Sequence, residues 1–348
     1  MENKQALKLS VLDQSPVRKG GNAKDALKET VKLAQLADEL GYTRYWVSEH
    51  HNTQTLAGST PEVLMAHLAG VTQQIRIGSG GIMLPNHSAL KVAENFRMLE
   101  TLFPGRIDLG MGRAPGTDRI TASILNPSNT WSEQDFVQQL IDLQHYLNDT
   151  AEPGSIQEKV RAIPQALTVP ALWLLSSSGQ SGLFAAHFGM AFTFANFINP
   201  QGGPEAVQMY RSRFNPSENL KQPQANLAIF VLCAKTEEKA MQLQAVMDDQ
   251  LLNMEKGIRQ GFPDYEEVRN NIYTSAEQER IRYNRQRMVS GTAGQVKSKL
   301  TQMAEAYQVD EIIVVTITHH FADRVKSYEL LADAFELEPR HLLQESNY

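Results

Sequence analysis

Cysteine is almost absent from this chain: Cys233 is the only one in 348 residues. No intrachain disulfide can form, and a cysteine-based zinc site is excluded. Cys233 lies inside the apolar run from Leu227 to Ala234, which points to a buried, unreactive thiol. Long apolar runs are missing as well. No stretch of 18 apolar residues occurs, so no segment reads as a membrane-spanning helix. Met1-Glu2-Asn3-Lys4-Gln5 has no apolar h-region behind it; a secretory leader is not expected, and a cytoplasmic location is. Positive charge is in deficit: 33 basic side chains against 39 acidic ones give a net charge of -6, mixed along the chain. That balance gives no electrostatic footprint for nucleic acid or for an anionic membrane. Low-complexity tracts and residue-level repeats do not occur either.

What is present is ordinary globular composition, 42% hydrophobic and 21% charged. The length suits one large α/β barrel and buries a substantial core. Short apolar runs alternate with helical patterns. Leu7 to Asp13 reads as a strand, followed by a helix over 24–40 closed by Gly41. Tyr45 to Ser48 is the second strand, and Ser59-Thr60-Pro61-Glu62 opens the next helix. Ile75 to Leu84 is the third strand, with a helix over 90–103, and Ile107 to Gly112 is the fourth. A helix runs from about Trp131 to Leu147. Strands over 170–175, 191–197, 226–234 and 310–317 follow, with helices near 181–188, 204–214, 236–258, 292–307 and 323–335. Continuous apolar strands suit a sheet buried on both faces. Eight strands, each followed by a helix, predict an α/β fold closed into a single-domain (β/α)8 TIM barrel over residues 1–348. An open doubly wound sheet is the alternative. Loop insertions are expected at about 118–130, 151–169 and 259–290.

In such a barrel the chemistry sits where strands end. Those ends carry Glu49-His50-His51, Gly78-Ser79-Gly80-Gly81, Gly112-Arg113, Ser176 to Ser181, Asn196-Phe197, and His319-His320. The histidines do not read as a metal site, because adjacent strand residues face apart. No metal is expected. Ser176 to Ser181 ends a strand and opens a helix, a natural anion site. Arg113 ends the neighbouring strand, and its guanidinium can pair twice with a phosphate. The other reading is that the serines only cap the helix and Arg113 makes a surface ion pair. The glycines either form a tight turn or leave bare backbone for a planar ring.

The runs Tyr45-Trp46-Val47-Ser48-Glu49-His50-His51, Ile77-Gly78-Ser79-Gly80-Gly81-Ile82-Met83-Leu84-Pro85 and Pro104-Gly105-Arg106-Ile107-Asp108-Leu109-Gly110-Met111-Gly112-Arg113 together resemble the bacterial luciferase-like flavin monooxygenases. The segment 316–334 is similar to the single-chain MsnO8-type members. The likeness is collinear over nearly the whole chain. It implies a TIM barrel, usually dimeric, that uses reduced FMN from a separate flavin reductase together with O2. It also implies monooxygenation of a small organic substrate through a flavin C4a-peroxide. His50 matches the family's active-site histidine, expected to titrate near neutrality and to handle a proton. Gly80 and Gly81 match the pair with a non-prolyl cis peptide under the flavin ring. Arg113 matches a phosphate-binding arginine, and Ser178 and Ser181 match phosphate-binding hydroxyls. Ser177 and Gly179 complete the expected cofactor contacts. Leu84, Met83, Phe197 and Trp46 are expected to line the mouth, and Glu49 either orients His50 or makes a structural ion pair.

There are departures. Luciferase has a carboxylate where this chain has Ser177 and a reactive cysteine where it has Gly112, which speaks against aldehyde oxidation with light emission. Its extended lid has no clear counterpart, and Arg280 to Val289 is the candidate for a shorter one. Two alternatives are F420-dependent hydride transfer and a non-catalytic flavin-binding partner subunit. A homodimer is expected, with the helices after the second and third strands at the interface.

Overall fold

Alternation of side chains decides the architecture. Along each central strand, odd and even positions enter two different apolar clusters. Leu9, Val11, Tyr45, Val47, Ile77, Leu109, Leu174, Phe192, Ile229 and Val314 pack outward against helices. Leu12, Trp46, Trp173, Ala195, Ala228, Phe230 and Ile313 point the other way into a common interior. A sheet with two buried faces and helices on only one side must curl on itself.

The computed structural model describes residues 6–340, so the reading of Met1 to Gln5 lies outside the described residues. The strands are β1 (Lys8–Asp13), β2 (Arg44–Val47), β3 (Arg76–Ser79), β4 (Ile82–Met83), β5 (Ile107–Gly112), β6 (Ala171–Ser176), β7 (Ala191–Ala195), β8 (Ala225–Ala234), β9 (Met288–Thr292) and β10 (Glu311–Val315). All pairings between these named strands are parallel, in the order β10-β1-β2-β3-β5-β6-β7-β8, and β8 pairs with β10 to close the ring. The result is a closed eight-strand, single-domain (β/α)8 TIM barrel.

Helices begin where capping residues stop the extended chain. The Asn22 side chain accepts from the Asp25 N–H at 3.0 Å to start Ala23–Glu39, and Thr236 does the same for Glu237–Glu255. The remaining outer helices of the ring are Pro61–Gly70, Ala89–Leu102, Glu133–Asn148, Gly179–His187, Gly203–Ser212, Ala293–Tyr307 and Phe321–Phe335.

Three sequence expectations need correction. The third strand is not continuous from 75 to 84. It breaks at a cis Gly80–Gly81 peptide, and β4 resumes the pairing with β5. Ser79 bridges the gap: its hydroxyl donates to the Gly110 carbonyl at 2.8 Å and accepts from the Gly110 N–H at 3.0 Å. The insertion expected as a loop at 118–130 holds a helix over Arg119–Leu125, capped by Asp118. Arg280 to Val289 is not a free lid. It runs from the helix Ser275–Asn284 through a 3-10 turn, Arg285–Arg287, into β9, which extends the sheet beside β8.

Cys233 is buried as expected, 1% exposed, and burial pushes its thiol up to about 11. No helix among the described residues is long and apolar enough to cross a membrane.

Candidate active site

The interior of the barrel divides by height. At the N-terminal ends of the strands it is plugged by charge. Arg44 donates to Glu311 at 2.6 and 3.1 Å and to Asp108 at 2.7 Å. Asp108 also accepts from Arg76 at 2.8 Å and from the Trp46 indole at 2.9 Å. Above this plug, at the C-terminal ends, lies a cavity of about 310 Å³. Its walls come from all eight barrel strands or the loops that follow them.

One wall is bare backbone. Gly80 and Gly81 face the cavity, and neither tolerates a side chain easily. A Cβ on Gly81 would lie 2.8 Å from the Gly110 carbonyl oxygen, and one on Gly80 would lie 2.7 Å from a Leu12 methyl. A flat ring can therefore lie directly on peptide groups.

Another wall is polar and electropositive. Arg113, 39% exposed at its side chain, has among the described residues only a loose contact with Glu133 at 3.8 Å. Ser176, Ser177, Ser178 and Ser181 line the same cavity. Ser178 is the N-cap of Gly179–His187, yet its side chain makes no capping bond. The hydroxyl instead lies 3.3 Å from that of Ser176. Ser178 therefore does not cap this helix through its hydroxyl. Arg113, Ser178 and Ser181 line the same cavity beside the start of this helix, a set of groups with the chemistry to hold an anion. Gly179 is the first helical residue but does not line the cavity.

The floor is apolar, from Leu12, Trp46, Leu175, Ala195, Ala228 and Ile313, with one exception. Thr193 faces the cavity 1% exposed, and its hydroxyl has no partner among the described residues. Sequence reading passed over Thr193 because a lone threonine between Phe192 and Phe194 signals a strand and nothing more. Met83, Phe197 and Trp46 line the cavity as expected. Leu84 does not: it starts a 3-10 turn and is buried in the outer core. Phe197 is held by Arg287, whose Nε donates to its carbonyl at 2.7 Å, while Asn196 donates to the Gln286 carbonyl at 3.2 Å. The segment expected as a lid thus braces the cavity wall.

His50 lies just beyond β2 but is not among the residues lining this cavity. Its Nδ1 sits 3.1 Å from the Ser48 hydroxyl. Burial pushes its pKa down to about 4, against the opposing pull of Glu49. The expectation of titration near neutrality is corrected: the imidazole is neutral at pH 7. Glu49 does not hold His50. It faces the other way and accepts from His51 at 2.8 Å, His87 at 3.0 Å, the Met83 N–H at 2.8 Å and Asn86 at 3.0 Å. These bonds, with His87 and Asn86 foremost, hold its carboxyl below the usual range despite burial, and the carboxylate in turn raises His87. Alternation along the chain explains the split, since neighbours in extended backbone point apart.

The residues fit a ring bearing a phosphate. The family model for luciferase-like monooxygenases matches residues 7–310, and the chain belongs to that family. A Bacillus subtilis protein of uncharacterized function, YwcH, is 53% identical over 94% of this chain and 98% of its own length. The N-acetyl-S-alkylcysteine monooxygenase of the same organism is 35% identical, again over 94% of this chain and 98% of its own. Among solved structures, apo-MsnO8 superposes with a TM-score of 0.88 at 37% identity, covering 96% of this chain and 100% of its own. Monooxygenase or oxidoreductase activity is therefore the class of chemistry to which the site belongs.

Proposed function

We propose that this protein is an FMN-dependent monooxygenase, taking reduced FMN from a separate flavin reductase and using O2 to oxidise a small organic molecule. The observation that carries this reading is the single cavity in which the Gly80-Gly81 backbone bed and the Arg113–serine anion site face the same space. A flavin mononucleotide carries a flat ring at one end and a phosphate at the other, and its phosphate needs a cationic, N–H-rich partner. In this reading Arg113, Ser177, Ser178 and Ser181 hold the phosphate, and Gly80 and Gly81 support the ring. Bound there, reduced flavin supplies the electrons that activate oxygen.

The chain's own contribution is to shape and dry the site. Met83, Phe197 and Trp46 exclude water beside the ring bed. His50, neutral at working pH, is a hydrogen-bonding and proton-accepting group at the rim, acting on what binds above the ring. Similarity to an N-acetyl-S-alkylcysteine monooxygenase makes thioethers a first substrate class to screen. We place the enzyme in the cytoplasm as a homodimer.

The test is anaerobic titration with reduced FMN, followed by oxygen uptake with candidate substrates. Saturable binding that His50→Ala retains, with loss of substrate-coupled oxygen use in that variant, supports the reading. Turnover with reduced F420 in the absence of oxygen, or tight flavin binding with no oxygen chemistry, would replace it.

A further inference from the structure

A second histidine–carboxylate group lies outside the cavity and takes no part in the chemistry above. His319 and His320 follow β10, and Asp264 precedes a short helix, Tyr265–Val268, in the excursion after β8. Their ligand atoms all lie within 4.8 Å of one another. The three line a cleft of about 190 Å³ that shares no residue with the cavity above the glycine bed.

The hydrogen bonds around the group fix which of its ligand atoms face one another. His319 Nδ1 lies 2.8 Å from the Phe262 carbonyl oxygen, which can only accept. The proton is therefore on Nδ1, and a neutral His319 turns the lone pair of Nε2 toward Asp264 Oδ2, 3.9 Å away. A lone pair facing a carboxylate oxygen is repulsive unless a positive charge sits between them. A carbonyl that fixes the far nitrogen is also the usual support of a metal-bound imidazole. Asp264 divides its two oxygens: Oδ1 caps the helix through the Glu266 N–H at 2.9 Å, and Oδ2 faces both histidines. His320 Nε2 lies 2.6 Å from that same Oδ2, and its backbone carbonyl is fixed by the Thr318 hydroxyl at 2.8 Å.

The contrast with Glu49 is instructive. That carboxylate also meets two histidines, but its oxygens are filled by four donor groups, leaving no room for an ion. Asp264 Oδ2 has one direct partner among the described residues.

We propose that Asp264, His319 and His320 form a binding site for a divalent transition metal of the zinc class. Two imidazoles and a carboxylate suit zinc, cobalt and nickel, with solvent at the fourth position. Metal–ligand bonds of about 2.0–2.1 Å put tetrahedral ligands about 3.3 Å apart. The Asp264–His320 pair has to open by under about 1 Å to reach that spacing and the Asp264–His319 pair to close by about as little. The metal ties the excursion to the end of β10. Phe262, whose carbonyl holds His319, packs with Ile317 and Met288 in the barrel's inner cluster. The site is thus a clip on the rim, with no direct contact to the reacting centre.

The experiment uses untagged full-length protein stripped with a chelator and titrated with Zn2+ by calorimetry and with Co2+ by visible absorption. One equivalent should bind with micromolar or tighter affinity, and Co2+ should give the intense bands of a four-coordinate N/O site. Asp264→Asn and His320→Gln should each weaken binding at least tenfold, and the double change His319→Gln/His320→Gln should abolish it. His187→Gln, on an exposed and distant helix position, should leave it intact. Absence of saturable binding, or binding that survives the double change in a protein of unaltered circular dichroism, overturns the proposal.

Discussion

The two ends of the barrel solve opposite problems with the same strands. At the N-terminal end the interior is filled by long charged side chains, Arg44, Arg76, Asp108 and Glu311, bonded to one another and to the Trp46 indole. At the C-terminal end the same strands present glycine, alanine and serine around an open cavity. β5 shows the change within a few residues, from Asp108 through Gly110 to Gly112, all facing inward. Charge at one end specifies how the strands fit together. Small residues at the other leave space that a ligand must fill. The lesson is that the stability of this barrel and its chemistry are separable by height along the strands.

That separation can be broken most severely from below. Arg44→Met leaves Glu311 and part of Asp108 buried without their cation, which should cost about 3–5 kcal/mol. Denaturant unfolding measures the loss, and the folded fraction should bind flavin as before. If flavin affinity falls in proportion, the two ends are coupled and the comparison fails.

At the mouth, Arg113→Ala should do the reverse. Among the described residues Arg113 has no close ion pair to lose, so unfolding should change little. Loss of a charged phosphate contact worth about 1.5–3 kcal/mol should weaken FMN binding roughly ten- to a hundredfold. Fluorescence titration checks it, and riboflavin, which lacks the phosphate, should be nearly indifferent to the change.

Gly81→Ala lies between these cases. Its Cβ would meet the Gly110 carbonyl, which is backbone and cannot swing aside, whereas at Gly80 the obstacle is a Leu12 methyl that can. Gly81→Ala should therefore cost about 1–3 kcal/mol of stability as well as flavin affinity. Gly80→Ala should cost less stability. A reversed order would mean that the bed has more freedom than the barrel wall allows.

A fourth expected effect is on pH dependence. The His50 pKa is lowered from 6.5 to about 4 in the folded protein, so between those values the unfolded chain binds a proton that the folded chain does not. Its contribution to stability is complete above pH 6.5 and is lost as pH falls toward 4. His87 is shifted the other way, so its contribution is present below pH 6.5 and is lost as pH rises through its folded value. His50→Gln should flatten the acid limb of a stability–pH curve, and His87→Gln the neutral limb.

Much of the fold was legible because strands buried on both faces are continuous apolar runs and the helices between them keep a 3.6-residue period. The fourth strand, 107–112, matches β5 to the residue. The third strand misled because Ile75 to Leu84 keeps its apolar pattern straight through a backbone break. The separate pairings of β3 and β4 with β5, bridged by the Ser79–Gly110 bonds, reveal that the ladder stops and restarts. β9 went unseen because charged residues surround it and its partner, β8, is distant in sequence. In the site, Arg113 and the serines could be found from their place at strand ends. Thr193 could not, since nothing local marks a hydroxyl that ends up without a partner.

By itself the sequence determined the alternation of elements, the face each residue shows, and which residue types stand at the strand ends. Those follow from local periodicity and from backbone freedom at glycine. The tertiary structure decided which neighbours of these residues are satisfied and which are left free. It turned Glu49 away from His50 and toward His87, left the Ser178 hydroxyl unused by its helix, and brought Asp264 to His319 and His320 from about fifty residues away in the chain. Hydrogen-bond satisfaction and burial are properties of surroundings, and those surroundings exist only once the barrel has closed.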